Sequence, residues 1–223
     1  MAKSFDPRKV LKQIANPLLR EFFSRRGELL DVPWDQIPEQ RIEPVFEGWQ
    51  ALPERQRLEV QVILRDINEL ADHRGMAVLA EEILGHAPEL AEQFKAQASK
   101  PDKAMWMYLH LPERFLEAAM FARADALAAG RHWKRRNSLP KIDLNVTPEM
   151  MTSLGEALTA FYGPKQMRGR CCKVVHYRRQ GRSDYFFAYL DDYPDKHIVF
   201  DGDDNEPIVR SDRYAFENVF VYN

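Results

Sequence analysis

The sequence has few of the features that identify a secreted or membrane protein. Its only cysteines are Cys171 and Cys172, and adjacent cysteines of a strand point to opposite faces, which makes a bond between them unfavourable. No apolar run approaches the ~20 residues that cross a bilayer, and the start MAKSFDPRKV lacks the apolar core of a signal peptide. These absences predict a cytoplasmic protein with reduced thiols and no membrane partner.

Motifs that would indicate a specific chemistry are also missing. The sequence has no P-loop, no G-x-G-x-x-G and no G-x-S-x-G, and its ten glycines are scattered. Cys172 and His176 fall on one face of a predicted strand, but a zinc site needs three or four ligands, usually in close pairs. The acidic stretch DGDDNEP lacks the glycine and final glutamate of a calcium loop. We therefore predict no catalytic residue, no metal site and no cofactor.

The first part of the chain has the pattern of a helical domain. Several segments begin with proline followed by glutamate, as in the two LPER motifs, and this pair suits the first turn of a helix. The clearest helix begins at the first LPER, where Val60, Ile63, Leu64, Ile67, Leu70 and Ala71 form one apolar stripe. We predict an all-α, multi-helix domain over residues 1–130 and a basic linker over 131–146.

The remainder changes from a helical period to a period of two. A helix capped by Thr147 precedes segments of alternating apolar residues, with a loop expected at DDYPDK and an acidic turn at DGDDNEP. Short gaps between these segments favour an antiparallel meander. The fold class is therefore α+β, with residues 147–223 predicted to form a small module of one helix and four to five antiparallel strands.

Charge is strongly polarised along the chain. Residues 131–182 hold twelve basic and three acidic side chains, whereas residues 183–223 hold three basic and ten acidic ones. Basic and aromatic residues together are typical of nucleic-acid binding. The candidate contacts are Arg131, Trp133, Lys134, Arg135, Arg136, Lys141, Arg168, Arg170, Lys173, Arg178 and Arg179.

A second interpretation of the same charges is internal pairing. Arg178 or Arg179 opposite Asp184, or near Asp191 and Asp192, would form ordinary cross-strand pairs, and this interpretation is slightly favoured over nucleic-acid contact. A third assigns acids near 184–206, with Lys173, to a metal-dependent nuclease or other hydrolase.

Aromatic and methionine side chains leave two roles open. Trp34 and the cluster Met105, Trp106, Met107 and Tyr108 fit either a partner surface or the core, and the core is favoured. The chain stops directly after an apolar strand, which is compatible with a longer polypeptide or with a strand that ends the protein. We expect a non-catalytic intracellular binding module, the N-terminal part of a larger protein or complex. Its partner would be another protein, the remaining domains of the same polypeptide, or nucleic acid.

Overall fold

The chain forms a helical unit followed by a mixed helix and sheet unit. The computed structural model describes residues 5–128, 133–137, 140, 142–179, 183–201 and 206–223. They divide into two compact units, Met1–Lys134 and Arg135–Asn223. Helices precede an antiparallel meander, so the α+β prediction is confirmed. No helix within the described ranges is long and apolar enough to cross a membrane.

The first unit is built from short and medium helices that are joined by tight turns. Its helices are α1 Pro7–Lys12, α2 Asn16–Arg25, α3 Glu43–Gln50, α4 Glu54–Leu70, α5 His73–His86, α6 Ala91–Ala96, α7 Lys100–His110 and α8 Pro112–Ala128, with 3-10 turns at Trp34–Gln36 and Pro88–Leu90. Both LPER motifs begin a long helix, because proline lacks the amide donor that the first helical turn leaves unpaired. In α4 the stripe residues Val60, Leu64, Ile67 and Leu70 are buried.

Asp102 connects the starts of two helices in this unit. Its side chain is buried and accepts hydrogen bonds from the backbone N–H of Ser99, at 3.1 Å, and of Ala15, at 2.8 Å. The Ser99 hydroxyl in turn accepts from the Asp102 N–H at 3.1 Å, which completes a capping box at the start of α7. Since Ala15 is the N-cap of α2, one carboxylate satisfies open amides at both helix starts.

The second unit places one helix against a three-stranded sheet. Helix α9 covers Pro148–Gln166, and the strands are β1 Cys172–Arg179, β2 Ser183–Asp201 and β3 Glu206–Tyr222, in the order β1-β2-β3. Thr147 caps α9, as the sequence predicted, by accepting from the Met150 N–H at 3.3 Å. The expected acidic turn at 202–205 lies outside the described residues.

The prediction of four to five strands was wrong, since the described residues form three. The stretch DDYPDK, expected to be a loop, lies inside β2 and is absorbed by a register shift between Asp191 and Pro194. Pro194 is tolerated because β1 pairs with β2 only as far as Leu190, so β2 has become an edge strand at this point.

Close approach of α9 to the sheet fixes the core of the second unit. A Cβ on Gly155 would lie 3.6 Å from the Cys172 carbonyl oxygen, and the Tyr162 ring meets the Phe216 ring edge to face at 5.2 Å. After the helix the chain turns at Gly169, whose φ of +72° and whose closeness to Tyr162 favour glycine. The Gly169 N–H donates to the Asp191 carbonyl at 2.8 Å, which ties the turn to β2.

We predict that Asp102→Ala lowers the free energy of unfolding by about 2–4 kcal/mol, because a helix cap is lost and the Ala15 amide is left unpaired. The matched control is Asp6→Ala, which removes an exposed N-cap of α1 and should cost about 1 kcal/mol or less. Urea unfolding followed by circular dichroism measures both. Equal losses in the two variants would show that Asp102 is only a cap.

Candidate functional site

The predicted basic residues divide into exposed and internally paired groups. Arg131 and Lys141 lie outside the described residues. The consecutive side chains Trp133, Lys134, Arg135 and Arg136 are all exposed, as are Arg170 and Lys173. Within the described part of the chain no carboxylate lies within 4.0 Å of these exposed basic groups.

Arg178 is used inside the sheet. It is the register partner of Asp184, and its guanidinium donates to both carboxylate oxygens, at 3.0 and 3.2 Å, and to the Leu144 carbonyl at 2.9 Å. His176, the next residue on the same face, lies 2.7 Å from the same carboxylate. The expected cross-strand pairing of Arg178 with Asp184 is therefore confirmed. Arg179 is half-buried and donates to the Tyr185 hydroxyl at 3.2 Å.

The environment of Asp184 keeps its carboxyl ionised. Burial by itself would raise the pKa of Asp184, but the hydrogen bonds from Arg178 and His176 outweigh burial, and the pKa lies below its ordinary value. The same pairing raises the pKa of Arg178. A carboxylate that is bonded to a guanidinium and an imidazole and whose pKa is lowered is poorly suited to accept a proton, so this cluster has the character of a structural clamp.

Arg168 also turns inward. Its guanidinium donates to Asp192 at 3.0 Å and to the Gln166 side chain at 2.7 Å, and it lies 4.3 Å from the centre of the Phe216 ring. These contacts join the end of α9 to β2 and β3 beside the register shift. The hydrogen bond from Arg168 lowers the pKa of Asp192, as expected for a carboxylate beside a guanidinium.

The chain that follows the exposed run 133–136 contacts a different part of the sheet from the exposed residue Lys173. Beyond Arg136, the chain binds the last strand: the Tyr222 hydroxyl accepts from the Ile142 N–H at 2.7 Å and donates to the Pro140 carbonyl. Tyr222 pairs with Asp184, whereas Lys173 pairs with Tyr189. Five strand positions separate those rungs, about 16 Å. No hydrogen bond or ion pair among the described residues links the run 133–136 to Arg170 or Lys173.

Three of the acids between 184 and 206 that were suggested for a nuclease lie beside an arginine. Asp184 and Asp192 are paired with Arg178 and Arg168, while Asp191 accepts from the Cys171 N–H at 2.7 Å and lies 3.8 Å from Arg213. Among the residues with described positions, no three His, Cys, Asp or Glu side chains are grouped so as to hold a metal ion.

The methionine and aromatic cluster of α7 is in the core. Met105, Trp106 and Met107 are buried, and Trp34 is buried as well, so the core assignment favoured by the sequence is confirmed. The Trp106 ring stacks on His110 with ring centres 4.4 Å apart. These side chains offer little surface to a partner.

An exposed apolar surface that the sequence did not indicate lies on the sheet. Beyond the register shift, β2 and β3 continue as a two-stranded arm, Pro194–Asp201 paired with Glu206–Arg213. Ile198 pairs with Val209 and Phe200 with Pro207, so these four side chains share one face, which we call the apolar arm face. Ile198 and Phe200 are each 73% exposed and Val209 is 68% exposed.

The opposite face of the arm carries the apolar pair Val199 and Ile208 beside a network of bonded polar side chains. The His197 ring lies 2.6 Å from the Tyr214 hydroxyl through Nδ1 and 3.2 Å from Asp212 through Nε2. Arg210 donates to the same Asp212 carboxylate at 3.0 Å. This network bonds the polar groups of the opposite face within the arm, whereas Ile198, Phe200 and Val209 on the apolar arm face are largely exposed.

We predict that Asp184→Asn lowers the free energy of unfolding at pH 7 by about 1–3 kcal/mol, because charged hydrogen bonds are lost. The folded-state pKa of Asp184 is lowered, so its contribution is present above the ordinary pKa of about 3.9 and is lost as pH falls through the lowered value. The loss caused by the substitution should therefore shrink toward pH 2. Urea unfolding from pH 7 to 2 tests this, with the half-exposed Asp212→Asn as the control; a loss that does not depend on pH would refute it.

Comparisons with protein-family models, with curated proteins and with solved structures found no match to this chain. Function has to be inferred from the surfaces of the chain itself. Two surfaces of the described residues carry the two candidate functions proposed next: the exposed basic residues, foremost 133–136, and the apolar arm face.

Proposed function

We propose that this chain is a non-catalytic protein-interaction module and that its contact surface is the apolar arm face. The observation that carries the proposal is the exposure of Ile198, Phe200 and Val209 on one side of the arm. Scattered exposed apolar residues are common on protein surfaces, but a contiguous apolar patch with a polar rim is typical of a binding site.

The free energy of binding would come from apolar side chains that the arm leaves exposed to water. Covering one large aliphatic or aromatic side chain contributes about 1.5–3 kcal/mol. The arm leaves three such side chains exposed to water. On its opposite face, His197, Asp212 and Tyr214 bond to one another. A partner laid on the apolar face would recover this free energy without breaking a described polar contact.

The location proposed for the module is the cytoplasm, where it would form part of a larger protein or complex. Cys171 is exposed and Cys172 is half-buried, and both are free thiols. Burial raises the pKa of Cys172, which makes its thiol less reactive. Free thiols at both positions are compatible with a reducing compartment.

Photo-crosslinking tests the arm as a contact surface. Benzoylphenylalanine replaces Phe200 in one full-length chain and Phe161 of α9, which is 52% exposed, in a control chain. We expect a discrete adduct in cells from position 200 and none of the same size from position 161. An adduct counts only if its identified partner, purified, binds the chain and Ile198→Lys raises the Kd at least about tenfold, or about 1.4 kcal/mol. Identical adduct patterns from the two positions would refute the proposal.

A second candidate function is nucleic-acid binding through the segment 133–136. The favouring observation is that Trp133, Lys134, Arg135 and Arg136 are consecutive and exposed. Cationic side chains attract phosphates, and a partly exposed indole can stack on a base. Arg168 and Arg178 are not part of this candidate, because both are used inside the second unit.

A salt titration with labelled DNA and RNA tests this candidate. We expect Arg135→Ala combined with Arg136→Ala to weaken binding and to reduce the slope of log Kd against log salt by about 2, since two phosphate contacts are lost. The control pair is Lys9→Ala with Lys12→Ala, two exposed lysines of α1. A slope that is unchanged by the arginine pair excludes the segment as the binding site.

A further inference from the structure

We propose that the first unit binds a small zwitterion, an α-amino acid with a branched aliphatic side chain, in the cavity between α1, α3 and α4. This inference goes beyond the proposed interaction function and is independent of it, because every residue that lines the cavity belongs to the first unit. Three features of the cavity carry it: an apolar wall, two opposite charges without an ion pair, and a volume of about 280 Å³.

The wall of the cavity is apolar and is held in place by contacts within the unit. Its apolar members are Pro7 of α1, Phe46 and Trp49 of α3 and Leu58 of α4. The Trp49 ring meets the Phe46 ring edge to face at 5.8 Å, and its indole N–H donates to the Arg57 carbonyl at 3.3 Å. Because this N–H is the only polar group of the indole, Trp49 offers carbon atoms alone to a ligand. Pockets of this kind bind the apolar part of a ligand, and a few polar groups orient it.

Two opposite charges lie at the same cavity. Glu54 and Arg57 both line it and are three positions apart on α4, so their side chains project from one face of the helix. Among the described residues, no base lies within 4.0 Å of the Glu54 carboxylate and no carboxylate lies within 4.0 Å of the Arg57 guanidinium. The described hydrogen bond of that guanidinium goes to the Gln50 carbonyl at 3.4 Å, so most of its five donors are available to a ligand.

The two charges select the class of ligand. A simple carboxylate would pair with Arg57 but would be repelled by Glu54, and a simple ammonium would meet the reverse arrangement. An α-amino acid carries its ammonium and its carboxylate on neighbouring carbon atoms, so each can form a charged hydrogen bond of about 2.7–2.9 Å with the group of opposite charge. The side chain of the amino acid then lies against Phe46, Trp49 and Leu58.

The volume of the cavity limits the size of the ligand. At about 30 Å³ for each water molecule in the liquid, a cavity of about 280 Å³ accommodates about nine non-hydrogen atoms, which is the size of leucine or isoleucine. A ligand of this size supports only modest affinity. We therefore expect a Kd of about 0.1–1 mM.

An NMR titration of the ¹⁵N-labelled full-length chain with L-leucine tests the site. We expect saturable shifts of the Trp49 indole signal, and Arg57→Ala and Glu54→Gln should each raise the Kd at least about tenfold, because each weakens one charged hydrogen bond. The matched control is Arg55→Ala, which lies on the same helix but does not line this cavity, and it should leave the Kd unchanged. Circular dichroism confirms that each variant is folded.

Two analogues of leucine test the zwitterion. L-Leucinamide lacks the carboxylate and N-acetyl-L-leucine lacks the ammonium, so each should bind the wild-type chain at least about tenfold more weakly than leucine. Arg57→Ala should weaken the binding of leucine but not that of leucinamide, because leucinamide has no carboxylate to pair with Arg57.

Three results would overturn the inference. An absence of shifts up to about 20 mM leucine, well above the expected Kd, would show that the cavity does not bind this class of ligand. Equal affinity for leucine and both analogues would show that the two charges are not used. A Kd that resists both Arg57→Ala and Glu54→Gln would place the ligand elsewhere. None of these results bears on the apolar arm face, which is tested by the adduct at position 200.

Discussion

The end of pairing between β1 and β2 is the constraint on which the proposed contact surface depends. β1 pairs with β2 as far as Leu190, and the turn before it holds β2 through the Gly169 amide and the Asp191 carbonyl. Beyond this point β2 and β3 have only each other. Side chains that a longer β1 would help to cover are therefore left in water, and burying each would be worth about 1.5–3 kcal/mol. The arm exists because the hairpin is longer than the strand beside it.

In the folded chain, Arg168 has a different role from the one that its position in the basic segment suggested. In the sequence it belongs to a basic segment that resembles a phosphate-binding surface. In the structure it joins Gln166, Asp192 and Phe216 at the base of the arm. Acids that follow the basic segment supply the partners of Arg168 and Arg178, so part of the charge asymmetry of the linear sequence is cancelled inside one unit. The run 133–136, Arg170 and Lys173 stay exposed without a carboxylate partner among the described residues.

The helices could be predicted because their signals are local. Capping by Thr147 and the stripe of α4 depend on residues within a few turns of one another, and both are present in the structure. The pairing of Arg178 with Asp184 could also be predicted, because a short hairpin brings residues that are close in sequence into register. The exposed arm could not be predicted from the sequence, because its exposure depends on where a different strand ends. The link from Asp102 to Ala15 was hidden for the same reason, since the two residues are 87 positions apart.

The register shift between Asp191 and Pro194 also decides which side of the sheet the arm offers. Before the shift, even-numbered residues of β2, such as Leu190, pair with even-numbered residues of β3, such as Phe216, which contacts α9 through Tyr162. After it, Ile198 pairs with Val209, so the even positions of β2 have changed sides relative to β3. The apolar residues consequently look away from α9, and His197 and Tyr214 lie on the helix side. The one extra residue in β2 therefore moves every later side chain of this strand to the opposite face of the sheet.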